Sequence, residues 1–173
     1  MTISFHDILF YTARMTGFDR ARWLALLLPL GLLGGAYASQ YVGGLYPCEM
    51  CWWQRWPHFA ALPLALGAFV VGGQGLRKTL VLLAALAILT SGLIGGYHAG
   101  VEYGWWEGIT TCSSTVAPGS GKEVLDAILN APLIRCDIAP WTLFGVSLAG
   151  FNFLISTSGA LLILLFLRKG ATA

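Results

Sequence analysis

The sequence predicts an all-α membrane protein, a four-transmembrane-helix bundle with two outer loops, the second carrying a short amphipathic helix, with residues 1–173 forming one domain. Three observations lead there. The chain of 173 residues is 57% hydrophobic and only 10% charged, outside the balance of water-soluble domains. Its apolar residues gather into four runs, 23–42, 56–73, 79–97 and 141–167, each close to the roughly 20 residues a spanning helix needs. Its basic residues fall unevenly around those runs, seven on one side and three on the other.

The first run follows Arg14, Arg20 and Arg22. Ala36-Tyr37-Ala38 has the small-x-small form of a signal-peptidase site, but the run outlasts the roughly 7 to 15 residues of a signal h-region, so it reads as a span. Gly31 and Gly35 on it, Gly92 and Gly96 on the third run, and Gly145 and Ala149 on the fourth form small-xxx-small faces suited to close helix packing. Arg77 and Lys78 separate the second and third runs, and Arg168 and Lys169 follow the fourth. Lys and Arg favour the cytoplasmic side of short loops, so both termini are expected in the cytoplasm. Every cysteine then lies on the far side of the membrane: Cys48 and Cys51 in the first outer loop, Cys112 and Cys136 in the second. An even cysteine count in an oxidising compartment is the setting for disulfides.

The second outer loop covers residues 98–140. Ser120 and Glu123 form a capping box, followed by the apolar stripe Val124, Leu125, Ile128 and Leu129, which predicts the amphipathic helix. Aromatic residues crowd the cysteine side (Tyr41, Tyr46, Trp52, Trp53, Trp56, Tyr97, Tyr103, Trp105, Trp106 and Trp141), as an interfacial belt that also suits a site for a planar ring. The net charge of +2 is small and dispersed, which excludes a nucleic-acid partner.

The chemistry concentrates in Pro47-Cys48-Glu49-Met50-Cys51-Trp52-Trp53-Gln54-Arg55. Two cysteines three positions apart at the start of a helix feel the positive end of its dipole, which favours thiolate and makes the pair reactive. Cys48, Cys51, Cys112 and Cys136 also number the four ligands of a zinc site, but the second pair is 24 residues apart and lacks the paired-knuckle spacing, so no metal is expected. Inert structural disulfides are the other alternative. Arg55 lies one helical turn beyond Cys51, toward hydrocarbon, where a guanidinium costs about 2.5 to 3.5 kcal/mol at mid-bilayer and marks a functional candidate. Either it snorkels to headgroups, or it donates to a carbonyl oxygen of an acceptor bound beside Cys51.

The run Pro47 to Arg55, the segment Tyr97-His98-Ala99-Gly100-Val101-Glu102, Thr111-Cys112, Arg135-Cys136-Asp137, and Phe144 through Asn152 together resemble the bacterial disulfide bond formation protein DsbB family. The resemblance covers nearly the whole chain. It implies a quinone-dependent protein-disulfide oxidoreductase that reoxidises a periplasmic DsbA-like thioredoxin-fold partner and passes its electrons to ubiquinone or menaquinone. It further implies that Cys112 and Cys136 form the disulfide attacked by the partner, with Cys112 the site of the mixed disulfide. Cys48 and Cys51 are then the second pair: Cys48 exchanges with Cys112 and Cys51 lies against the quinone. Arg55 matches the arginine that holds the quinone. His98 falls where the family has a histidine, and as the nearest titratable group in sequence it is the candidate proton donor. Glu102, one turn on, either orients His98 or is solvated, and the solvated reading is favoured. Two rivals differ in class. A relative of vitamin K epoxide reductase would carry its C-x-x-C near the last span, whereas Cys48 and Cys51 begin the second. A non-enzymatic assembly factor would use its disulfides only as braces, which closing the 112–136 loop supports by about 3 to 4 kcal/mol.

Overall fold

The computed structural model describes residues 15–109 and 134–169. Cys112 and the amphipathic helix expected from Ser120 to Asn130 lie outside these residues. Within them the chain folds as four helices, α1 (Gly17–Tyr41), α2 (Glu49–Val70), α3 (Gln74–Glu102) and α4 (Leu148–Lys169), with strands β1 (Thr142–Leu143) and β2 (Val146–Ser147) just before α4.

A capping box starts α1: the Asp19 amide donates to Thr16 Oγ1 at 3.1 Å and the Thr16 amide to Asp19 Oδ2 at 3.3 Å. A tight turn joins α2 to α3, with Gly73 at φ +85° and the Arg77 Nε–H donating to Val71 O at 2.7 Å. Helix α3 packs on both α2 and α4, and α1 closes the bundle against the same two neighbours.

Helices α1, α3 and α4 are long and apolar enough to cross a bilayer. Helix α2 is of similar length, but Gln54, Arg55 and His58 lower its hydropathy. All three are buried in the bundle, which is where polar side chains at membrane depth are tolerated.

The helix contacts are lined by small residues, Ala21 and Ala25 of α1, Ala61, Ala65 and Ala68 of α2, Ala84 and Ala85 of α3 and Ala160 of α4, around Val81, Ile88 and Ile163. In lipid, helix association depends on close packing rather than on escape from water, which favours such residues. Leu27, Leu66, Leu86 and Leu161 turn outward. The small-xxx-small expectation holds on α3, where a Cβ at Gly92 would meet Thr157 Oγ1 at 2.7 Å and one at Gly96 the Phe153 ring at 2.8 Å. It fails on α1: a Cβ at Gly31 or Gly35 would meet nothing within 4 Å.

The helix bounds also differ from the expected spans: α1, α2 and α3 begin earlier, at Gly17, Glu49 and Gln74, and two further differences bear on the site. The fourth run does not become helical at Trp141. Thr142 pairs with Ser147 and Leu143 with Val146, and the turn between them places Phe144 at φ +52° and Gly145 at φ +77°, the pair of left-handed residues of a type I′ hairpin. Gly145 therefore serves a turn and not a helix contact. Tyr103 Oη pins this hairpin to the end of α3, accepting from the Ser147 amide and donating to Gly145 O, each at 3.0 Å. Helix α3 continues past Tyr97 to Glu102, with His98 buried on this last stretch.

The bundle has two chemically distinct ends. Arg22, Arg77 and Lys169 line one depression with Thr16, while Cys48 and Cys136 share a buried cluster with Met50 and Val101 at the other end.

Candidate functional site

Cys48 is the N-cap of α2, and its sulfur accepts from the Cys51 amide at 3.3 Å. A cysteine here takes the place usually held by Ser, Asp or Asn, so the C-x-x-C spacing itself closes the first turn of the helix. The two sulfurs lie 2.9 Å apart, the Cys48 thiol donating to Cys51 Sγ. That hydrogen bond first and burial second push the Cys48 thiol up to about 12, against the pull of His98.

His98 reaches the pair from α3. Its Nε2 stands 3.6 Å from Cys48 Sγ and 3.8 Å from Glu102 Oε1. Both side chains are 2% exposed, so the solvated reading of Glu102 is corrected: the α3 backbone continues one turn past the expected span and carries the carboxylate inward, where its Oε2 has no hydrogen-bond partner. Cys48, Cys51 and His98 bring three potential metal-ligand atoms within 4.8 Å of one another, a set different from the four cysteines the spacing offered. Of the second cysteine pair, Cys136 is buried in the cluster around Cys48, and Cys112 lies outside the described residues.

Arg55, one turn after Cys51, is 7% exposed and so does not reach out to headgroups. It turns toward α1, donating from one terminal nitrogen to Gln40 Oε1 at 2.7 Å and from the other to Ala36 O at 3.2 Å. The rings of Tyr37 and Trp52 flank it at 5.0 and 4.9 Å. Arg55 also borders a cavity of about 240 Å³ between α1, α2 and α4, shared with Cys51, Gln54, His58 and Asn152. Gly31 and Gly35 form part of its wall, which explains why their helix face meets no neighbour. A second cavity of about 240 Å³ is bordered by Cys48, Cys51, His98, Glu102, Ile134 and Arg135. Cys51 is thus common to both cavities.

Sequence reasoning missed the polar network beneath the cysteines. Gln54 lies 2.8 Å from His98 Nδ1, Asn152 Nδ2 donates to Gln54 Oε1 at 2.9 Å, and His58 Nε2 lies 3.1 Å from Asn152 Oδ1. A signal existed: Gln54 and His58, and likewise Asn152 and Ser156, are polar pairs at i,i+4 in or beside apolar runs, where polar residues are rare and functional. Outside the site, Arg135 forms an ion pair with Asp137, which holds the Asp137 carboxyl below the usual range.

The family model described as disulfide bond formation protein DsbB matches residues 19–166. Disulfide bond formation protein B of Verminephrobacter eiseniae is 30% identical over 162 residues, covering 86% of each chain. The protein of the same name from Albidiferax ferrireducens is 30% identical over 75% of each chain. An uncharacterised protein of Rickettsia prowazekii is 26% identical over 80% of this chain and 83% of its own. No solved structure matches the chain.

Proposed function

This chain belongs to the DsbB family of disulfide bond formation proteins, and on that premise we propose that it is a thiol oxidase of the bacterial inner membrane that draws electrons from a periplasmic DsbA-like dithiol and delivers them to a membrane quinone. The observation that carries the reading is the position of Cys51 on both cavities, one bordered by the segment leading to Cys136 and the other by Arg55. The latter fits a planar acceptor: its walls are mostly apolar, its polar groups converge beside a sulfur, and two wall glycines carry no side chain to obstruct it.

When bound, ubiquinone or menaquinone supplies an acceptor for two electrons and two protons, so that two thiols become one disulfide. The residues of the chain do the rest. Cys112 accepts the partner's thiolate, and Cys136, which pairs with it, packs in the cluster around Cys48, so exchange between the two pairs passes through Cys48. Cys51 then carries the thiolate on the acceptor side. Arg55 lines that side and has five N–H donors in a fixed fork, enough to hold a carbonyl oxygen in addition to its two bonds on α1. His98 stands behind Cys48, its Nε2 3.6 Å from the sulfur. In this reading α2 spans the membrane with the other three helices, the basic end faces the cytoplasm and the cysteine end the periplasm.

Purified protein given a dithiol donor and a water-soluble quinone should reduce the quinone stoichiometrically with disulfide formed, and a braced assembly factor should not. The cavity is checked separately by Gly35→Leu, whose side chain enters space that is open in the wild type. This variant is expected to fold normally and to raise the quinone KM at least tenfold while leaving thiol exchange with the partner intact. The order of the cysteines is checked with Cys136→Ser. Without its pairing thiol the mixed disulfide at Cys112 should persist, so non-reducing gels should show a covalent complex with a small thioredoxin-fold protein. Absence of the adduct in cells that contain the partner contradicts the relay.

A further inference from the structure

The hydrogen bonds under the cysteine pair determine more than contact, because two backbone carbonyls fix the orientation of both amide side chains. Gln54 Nε2 lies 3.2 Å from Met50 O, and Asn152 Nδ2 lies 3.1 Å from Ser91 O. A carbonyl only accepts, so each of these side-chain nitrogens is the amide NH₂ in its correct place. The remaining bond between the two amides agrees, Asn152 Nδ2 donating to Gln54 Oε1 at 2.9 Å. Ser156 Oγ, donating to Asn152 Oδ1 at 2.8 Å, holds the far end of the chain.

Gln54 therefore presents an N–H to His98 Nδ1 at 2.8 Å, and that ring nitrogen must accept. A neutral imidazole that accepts at Nδ1 carries its proton on Nε2. Nε2 is the atom that faces Cys48 Sγ at 3.6 Å and Glu102 Oε1 at 3.8 Å. We infer that Gln54, held by Asn152, is a positioning residue that fixes His98 as a hydrogen-bond donor toward Cys48. This deepens the thiol-oxidase reading: when Cys48 passes its proton to Cys51 during exchange, the histidine steadies the thiolate left on Cys48 rather than taking the proton itself. The same tautomer occupies the nitrogen that a metal held by Cys48, Cys51 and His98 would require.

The local packing is consistent with a built device. A Cβ at Gly95 would meet Gln54 Oε1 and Asn152 Nδ2 at 3.0 Å each and Ala149 O at 2.9 Å, so the amide pair fits only because α3 has a glycine at that level. The groups that titrate or carry charge around His98 are Cys48 and Cys51 from α2 and Glu102 from α3, with Arg135 and Tyr46 on the same cavity.

The test uses the full-length reduced protein in detergent, without quinone or partner, so its failure is separate from any failure of the oxidase reading. Nitrogen NMR with labelled histidine, the His98 signals assigned with His98→Asn, should show the Nε2-protonated tautomer whenever the ring is neutral. Gln54→Glu offers only acceptors to Nδ1 and should move the proton to Nδ1. Gln54→Leu offers nothing and should shift the tautomer ratio at least about fivefold, the equivalent of one hydrogen bond. In the Cys51→Ser background, where Cys48 is the only thiol of its pair, Gln54→Leu should also move the Cys48 thiolate midpoint, read by absorbance against the same protein carrying Cys48→Ser, up by about 0.7 of a pH unit, the same fivefold change. An Nδ1-protonated His98 in the wild type overturns the inference even if neither variant accumulates. So does retention of the Nε2 tautomer in both variants, or an unmoved thiolate midpoint.

Discussion

Replacing Cys51 by serine should abolish quinone reduction while leaving the periplasmic exchange intact. Cys51 is the sulfur that borders both cavities, and no other described cysteine borders the one beside Arg55. Serine keeps the size and hydrogen-bonding of the site, but its hydroxyl is not ionised near neutral pH and cannot form a disulfide with Cys48. Electrons arriving at Cys48 would have no onward path. The measurement is steady-state quinone reduction with a dithiol donor, run beside a gel assay for the mixed disulfide at Cys112. Loss of the first with retention of the second is the expected pattern. Normal quinone turnover in the variant would show that the order of electron flow is wrong.

Substitution of Arg55 should have the next largest effect. Arg55→Ala removes a guanidinium that lines the acceptor cavity, and losing one charge-assisted hydrogen bond of about 1.5 to 3 kcal/mol lowers kcat/KM for quinone roughly 10- to 150-fold. Arg55→Lys keeps the charge without the planar fork and should raise KM more than it lowers kcat. The structure adds a complication that a hydropathy plot does not show: Arg55 also ties α2 to α1 through Gln40 and Ala36. Gln40→Leu separates the two roles, because it removes part of the tie and keeps the guanidinium. If Gln40→Leu reproduces the full loss seen in Arg55→Ala, the arginine serves the helix contact and the acceptor must be held elsewhere. If Arg55→Ala alone is impaired, with the partner adduct still forming, the arginine acts on the acceptor.

Much of this site was legible as local pattern. Cys48 and Cys51 are three residues apart and Arg55 four further on, so any helix beginning there must bring them to one end of one element. Placing His98 with them rested on resemblance, and the structure supplies the contact, 3.6 Å from Cys48 across two helices. Glu102 was misread because an acidic residue at the end of an apolar run is ordinarily solvated; here its side chain is 2% exposed beside His98.

The sequence by itself determined that this is a helical membrane protein, that its basic and cysteine-bearing ends are opposed, and that its C-x-x-C pair opens the second helix. These properties follow from hydropathy, charge and short-range spacing, which the chain carries whatever its tertiary arrangement. Only the tertiary structure decided how each helix is rotated about its axis and which residues meet across the bundle. Gly31 and Gly35 have the same spacing as Gly92 and Gly96, yet the first pair walls a cavity and the second is packed against α4. Gln54, His58 and Asn152 are isolated polar residues in apolar runs until packing joins them into one network under His98. The physical reason is that each such group must find a partner out of water, and the partner comes from another helix whose rotation and depth are set by the fit of the whole bundle.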